Sequence, residues 1–313
     1  MDPRAYTDHA AFHVPDRLAA ALRSSAAHGT PAYALLALER PIVEDLVSVP
    51  DDATFLATRG TARAVERIGE HARLTTLWAH PATNALVRQL PRLSQLRALY
   101  LGGTGRTDLS PIGDCSALQH LVLDGATALV DLSFLAGLPR LRTLYVHDAR
   151  RLDLESLAPL PRLAALHLAG GPCTPLRIAT LAPLSRLTLL RHLALENVRS
   201  ADGLLRPLAA LTRLRELHLP NSFDVDECAR LAGALPHARG TVATPFYAES
   251  TAHAGTELFF RCDLCGRTRV LLTGRPTALL CPECDSAKVI RRVARWESVR
   301  GSAWPPAPEH GQP

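Results

Sequence analysis

The stretch "LRTLYVHD", Leu141 to Asp148, decides how this chain is read. Leu141, Leu144 and Val146 are spaced as the inward residues of a short strand, and Thr143, Tyr145 and His147 fall between them. Strand side chains alternate between faces, so the second set points away from whatever the first set packs into. The same spacing returns along the chain as "LTTLWAH" from Leu74, "LRALYLG" from Leu96, "LQHLVLD" from Leu118, "LAALHLA" from Leu163, "LRHLALE" from Leu190 and "LRELHLP" from Leu214. Successive starts differ by 22, 22, 23, 22, 27 and 24 residues. Weaker copies precede them, "YALLALE" from Tyr33 and "DATFLAT" from Asp52.

A period of that length predicts a solenoid, in which one coil cannot bury its leucines but stacked coils share an interior. The L-x-x-L-x-L register, the "DLSPI" and "DLSFL" segments and the "LPRL" before the next strand resemble the leucine-rich repeat family, in its internalin-like bacterial variety of about 22 residues per coil. The resemblance covers residues 33–244 and implies an α/β solenoid, a horseshoe with a parallel sheet on its concave side. One departure stands out: the family's asparagine after the strand is replaced by Thr104, Ala126, Ala149, Gly171, Val198 and Ser222, so backbone groups or water must satisfy the turns. The interval of 27 residues holds an extra "GGPCTPLRI", where a bulge is expected. Open solenoids need caps. Residues 1–32, with the amphipathic Pro15 to Gly29, are expected to supply a helix at one end; "DVDECARLAGALP" with Asp224 as N-cap, followed by a last strand "GTVATP", closes the other.

Stacking the copies aligns their outward residues in columns. One runs Trp78, Tyr100, Val122, Tyr145, His167, Ala194, His218; a second holds His80, Asp124, His147 and Glu196; a third holds His120 and His192. Six of the thirteen histidines lie on these positions, namely His80, His120, His147, His167, His192 and His218. Rings give large contact area at low entropic cost, so this face is expected to bind an unidentified protein partner. The competing reading is inheritance from an ancestral coil followed by drift. A sharper alternative, a metal on Asp124, His147 and His167, has suitable donors but no visible supporting partner. No phosphate loop, nucleophile elbow or metalloprotease motif is present, and no enzymatic activity is expected.

Past a linker at 245–255 the leucine period stops. Cys262-x2-Cys265 and Cys281-x2-Cys284, separated by fifteen residues, have the spacing of a four-thiolate metal site. Residues 256–300 resemble a zinc ribbon, which implies one structural Zn²⁺ with no ligand position open to water. Cys115, Cys173 and Cys228 read as small apolar fillers. Lys288, Arg291, Arg292 and Arg295 near Trp296 offer a modest basic patch, and DNA or RNA binding through it is the alternative function. Residues 301–313 are Pro-rich and expected to be disordered.

Composition narrows the rest. The 47% hydrophobic content suits a packed interior, and net charge is +5. Lys288 is the single lysine, so the arginine excess reads as codon bias in a GC-rich bacterial genome and not as a polyanion signal. No run of 18 apolar residues and no leader are evident, and the paired cysteines suit a reducing compartment, so a cytoplasmic location is expected.

Overall fold

The computed structural model describes residues 42–171, 173–247 and 261–305. The expected N-terminal cap and the copy at Tyr33 lie outside the described residues.

Nine strands form one parallel sheet. They are β1 (Val43–Asp45), β2 (Phe55–Arg63), β3 (Thr76–Ala79), β4 (Ala98–Leu101), β5 (His120–Leu123), β6 (Thr143–Val146), β7 (Ala165–Ala169), β9 (His192–Glu196) and β11 (Glu216–His218), each hydrogen-bonded to the strand of the next coil. Two strands are missing from that series: β8 (Leu176–Ile178), in the extra segment, and β10 (Val198–Ser200), which pair in parallel with each other. The bulge expected there is therefore a second, two-stranded sheet beside the first. Opposite the main sheet each coil returns through single turns of 3-10 helix, apart from α1 (Asn84–Val87). Proline at the start of several of these turns supplies a ready-made φ where no backbone donor is needed.

The inward residues do as their spacing requires: Leu118, Leu121 and Leu123 are each 0% exposed, and one aliphatic cluster runs from Val43 to Val242. Burial of each such leucine stabilises the fold by about 1.5–3 kcal/mol. The missing asparagines are replaced by backbone and hydroxyl groups. Thr104 Oγ1 donates to Asp124 O, Ser222 Oγ to Val198 O and Thr241 Oγ1 to Leu219 O, while the Ala126 amide donates to His147 O.

Three details differ from the sequence reading. The copy begun at Asp52 starts one residue later, because Leu56 pairs with Leu77 and Ala57 with Trp78; Leu56, and not Phe55, enters the interior. The segment "GTVATP" forms no strand. The edge of β11 is instead met by a single bridge between Glu216 and Arg239, with the Leu217 amide donating to Arg239 O. Finally, the chain beyond 300 keeps packing as far as Trp304, whose Nε1 donates to Glu227 at 3.0 Å.

The end cap is a composite. Helix α2 (Val225–Ala234) opens on Asp224, whose carboxylate accepts from the Asp226 amide, and stops at Leu235 before Pro236. Against it lies the cysteine module, an antiparallel sheet of β12 (Phe246–Tyr247), β13 (Val270–Leu272) and β14 (Leu279–Leu280) followed by α3 (Ser286–Val299). Trp296 of α3 is 0% exposed and belongs to the solenoid's own aliphatic cluster. Backbone bonds between Arg275 and Phe223 and between Val225 and Arg275 join the loop after β13 to the start of α2. Gly274 makes this approach possible: its φ is +74°, and a Cβ there would lie 2.8 Å from Val225 Cα.

Candidate functional sites on the concave face and in the cysteine module

The concave columns are those of the strand register: Trp78, Tyr100, Val122, Tyr145, His167, Ala194 and His218 sit side by side across seven strands. Trp78 stacks on Tyr100 with ring centres 5.1 Å apart, and Tyr145 meets the edge of His167 at 4.3 Å. Such contacts add about 0.5–1.5 kcal/mol beyond the area they bury. The rings are not displayed as the sequence reading supposed. Tyr145 and His167 are each 1% exposed and Tyr100 is 5% exposed, so the column is a second small hydrophobic cluster on the opposite side of the sheet from the leucines.

What the face does present, flanking that cluster, is a rim of partly buried histidines and carboxylates, with the buried His167 beneath Glu196. His147 Nδ1 lies 2.8 Å from Asp124 Oδ1 and 3.6 Å from Asp148 Oδ2. His167 Nε2 lies 3.2 Å from Glu196 Oε1, and His192 Nδ1 lies 3.3 Å from Glu216 Oε2. Tyr100 OH donates to Asp124 Oδ2 at 3.3 Å. Burial opposes charge on His147, but the Asp124 hydrogen bond and the carboxylates of Asp148 and Glu196 outweigh it and raise its pKa. Burial likewise works against ionised Glu196, and its contact with His167 together with the nearby His147 and His218 turns the balance, lowering its pKa. His120 behaves in the opposite way. Burial, with Arg142 nearby, pushes its pKa down to about 4, and its Nδ1 sits 3.1 Å from Thr143 Oγ1. His80 is exposed, while Trp78 and His218 are partly so.

Asp124 and His147 of the proposed metal trio are brought together, with Asp148 as the third donor, all within 4.8 Å of one another. His167 is engaged elsewhere, on Glu196 and Tyr145. Asp148 is the residue that sequence reasoning missed. Its φ of +63° ends the strand in a left-handed turn, which a side chain at that position does not announce.

In the module the four sulfurs of Cys262, Cys265, Cys281 and Cys284 lie within 4.8 Å of one another. Cys262 Sγ is 3.8 Å from Cys284 Sγ and Cys265 Sγ 3.5 Å from Cys281 Sγ. A tetrahedron with metal–sulfur bonds of about 2.3 Å has edges of roughly 3.8 Å, so the set fits one tetrahedral divalent ion. Each knuckle is built by backbone bonds. The Gly266 amide donates to Cys262 O with Gly266 at φ +70°, and the Cys284 amide points at Cys281 Sγ at 3.5 Å. Amides of Leu264 and Cys265 directed at Cys262 hold its thiol pKa down to about 7, the thiolate form that ligation needs. Cys115 and Cys228 are buried, with thiols pushed up to about 12, as fillers should be; Cys173, grouped with them from sequence, is exposed.

The basic residues of α3 are mostly engaged by the protein itself, although only Arg292 is buried. Arg292 is 8% exposed and donates to Thr273 O at 3.1 Å and to Pro276 O. Arg295 makes a two-pronged bond to Asp226 of α2 at 2.8 and 3.1 Å. Lys288 pairs with Asp285, and Arg291 is exposed.

The class defined by this geometry is a leucine-rich-repeat-like solenoid closed at its C-terminal end by a module carrying a four-cysteine cluster. No family model matches the chain, and no curated protein matches it. Solved structures it is similar to include an internalin, inlF, of Listeria monocytogenes, at 23% identity over 60% of this chain and 59% of that one, with a TM-score of 0.44. Internalin C2 of the same organism aligns at 25% identity over 55% and 71%, TM-score 0.42. A leucine-rich repeat protein of Leptospira interrogans aligns at 16% over 61% and 55%, TM-score 0.42. The chain thus spans well under two thirds of the length of the inlF internalin. No helix among the described residues is long and apolar enough to cross a membrane.

Proposed function

We propose that the protein is an adaptor that binds a partner protein on the rim of its concave face, and that one structural Zn²⁺ holds the C-terminal module. The observation that carries the reading is the rim itself: His147 with Asp124 and Asp148, His192 with Glu216, and Glu196 held from below by the buried His167, seated around buried rings that fix the sheet beneath them. A rigid pedestal under half-buried polar pairs supplies hydrogen-bonding groups without the entropic cost of ordering loops. The rings Trp78, Tyr100 and Tyr145 set that platform, and His80, His120, His147, His192, Glu196 and His218 meet the partner. No reaction is assigned to the face.

In the module the four thiolates occupy every position of a tetrahedral ion, so zinc would serve folding and offer no site for a substrate. Leu264 is 84% and Ile290 66% exposed on the module's outside, which suits a second docking patch. Nucleic-acid binding through α3 is the weaker reading, because Arg292 and Arg295 are spent on internal contacts. The test is affinity capture from the source cell with the wild-type chain, a His147→Ala, Glu196→Ala, His218→Ala variant and an Arg213→Ala control. Loss of one protein in the triple variant alone supports the reading, and equal recovery in all three contradicts it.

A further inference from the structure

Beyond the concave face, the two-stranded sheet beside it carries a row of arginines. Arg199 on β10 is in register with Arg177 on β8, and Arg177 bridges to Arg151 of the preceding coil. Parallel strands in register place these side chains on one face about 4.8 Å apart. The flanking residues settle which face it is. Leu176, Ile178 and Val198 are 0%, 4% and 1% exposed, whereas Arg151, Arg177 and Arg199 are exposed. None of the three pairs with a carboxylate among the described residues.

The row runs into a cleft of about 520 Å³ between the last coils and the cysteine module. Arg199 lines it from the solenoid and Arg275 from the module, with Asn197, Ser200, Asn221 and Ser222 between them. Internal bonds hold these walls. The Arg275 amide donates to Phe223 O at 2.7 Å, Asn221 Oδ1 accepts from the Gly274 amide at 3.1 Å, and Ser222 Oγ donates to Val198 O at 2.8 Å. Two carboxylates flank the cleft and both accept from the protein: Asp202 from Ser200 Oγ and the Leu204 amide, and Asp224, bridged to Arg275 through the backbone, from the Asp226 amide. The Arg275 side chain likewise has no carboxylate partner among the described residues.

We propose that this cleft binds a small ligand carrying two or more linked phosphates, with Arg199 and Arg275 closing on it from opposite walls and Arg177 and Arg151 extending the positive row. Guanidinium groups remain charged at all physiological pH and present paired N–H donors that match phosphate oxygens. The volume falls in the range of small-molecule sites. An acidic peptide fits less well: an extended strand spaces same-face carboxylates by roughly 6.8 Å, so little of its charge would enter, whereas linked phosphates concentrate theirs. A single-stranded nucleic acid needs rings on which bases stack, and Phe223, the one ring lining the cleft among the described residues, is 1% exposed. The proposal stands apart from the concave-face reading, since none of its residues lies on that face.

Titration calorimetry of the full chain with sodium tripolyphosphate tests it, with a nucleoside triphosphate in a second arm to separate inorganic from nucleotide sources. Saturable binding of one ligand per chain is expected, weakening as salt rises. Arg199→Ala and Arg275→Ala should each weaken it roughly tenfold and Arg151→Ala by about twofold, since hydrogen bonds to charged groups are the stronger kind. Arg199→Lys should fall between, and Arg213→Ala should match wild type. Unchanged circular dichroism and thermal midpoint without ligand show that the variants fold. The proposal is overturned by absence of saturable heat with either ligand. It is equally overturned if affinity survives in Arg199→Ala with Arg275→Ala, or if a hexaglutamate peptide or a short RNA strand binds the same arginines more tightly than tripolyphosphate.

Discussion

Solenoid and cysteine module stand side by side in one chain and are held together by different physics. From Leu46 to Leu219 every coil buries a similar set of aliphatic side chains against near-copies of itself, so stability is spread over many equivalent terms. Among the described residues the module has only Val270, Leu272, Leu280 and Val289 as its own buried aliphatics and depends on a few non-repeated devices. These are four sulfurs, the Arg292 guanidinium on two carbonyls, and Trp296 inserted into its neighbour's interior. The repeat therefore tolerates the loss of any single part better than the module does, and the module doubles as the lid over the last coil.

That contrast yields predictions of graded size. The largest concerns metal. Elemental analysis should find one zinc per chain, and Cys281→Ser should abolish it and melt the module, because structural zinc contributes about 10–16 kcal/mol in small modules. Zinc retained in that variant would remove the tetrahedral assignment. Next, Trp296→Ala should cost about 3–5 kcal/mol in denaturant unfolding, since it empties a site buried by both regions. Leu121→Ala, confined to one coil, should cost about 2–5 kcal/mol while leaving metal content unchanged.

Smaller still is a pH effect on the concave face. His120 has its pKa lowered from 6.5 to about 4, so the unfolded chain takes up a proton before the folded chain does. Its contribution is fully present above pH 6.5 and is lost as pH falls toward 4, by at most about 3 kcal/mol. His120→Gln should flatten that part of the stability curve, and an unchanged slope would contradict the burial argument. Smallest is Arg295→Ala. Its ion pair with Asp226 is more than half exposed on the arginine side, so about 0.2–1 kcal/mol is expected.

How much of this was legible depends on what each residue answers to. The coil register follows from leucine spacing because burial enforces it, and the cysteine quartet follows from spacing because a metal enforces it. The slip at Asp52 arose where Phe55 mimics an inward leucine while Leu56 takes that place. The burial of Tyr145 and His167 was not legible, since period-two alternation gives the side of a sheet and not what covers it. Arg292 and Arg295 look like a basic patch in one dimension and are anchors in three, because their partners Thr273, Pro276 and Asp226 are distant in sequence. The arginine row escaped because its members are single residues in different coils, brought into line only by an insertion that makes its own sheet.

The most direct test of the composite cap is hydrogen exchange on the full chain with and without a strong zinc chelator. Faster exchange is predicted in residues 261–300 and in α2, with β3 to β7 unchanged, because Trp296 ties the module to the end coil and not to the middle of the sheet. Release of the module with α2 still fully protected would contradict the account.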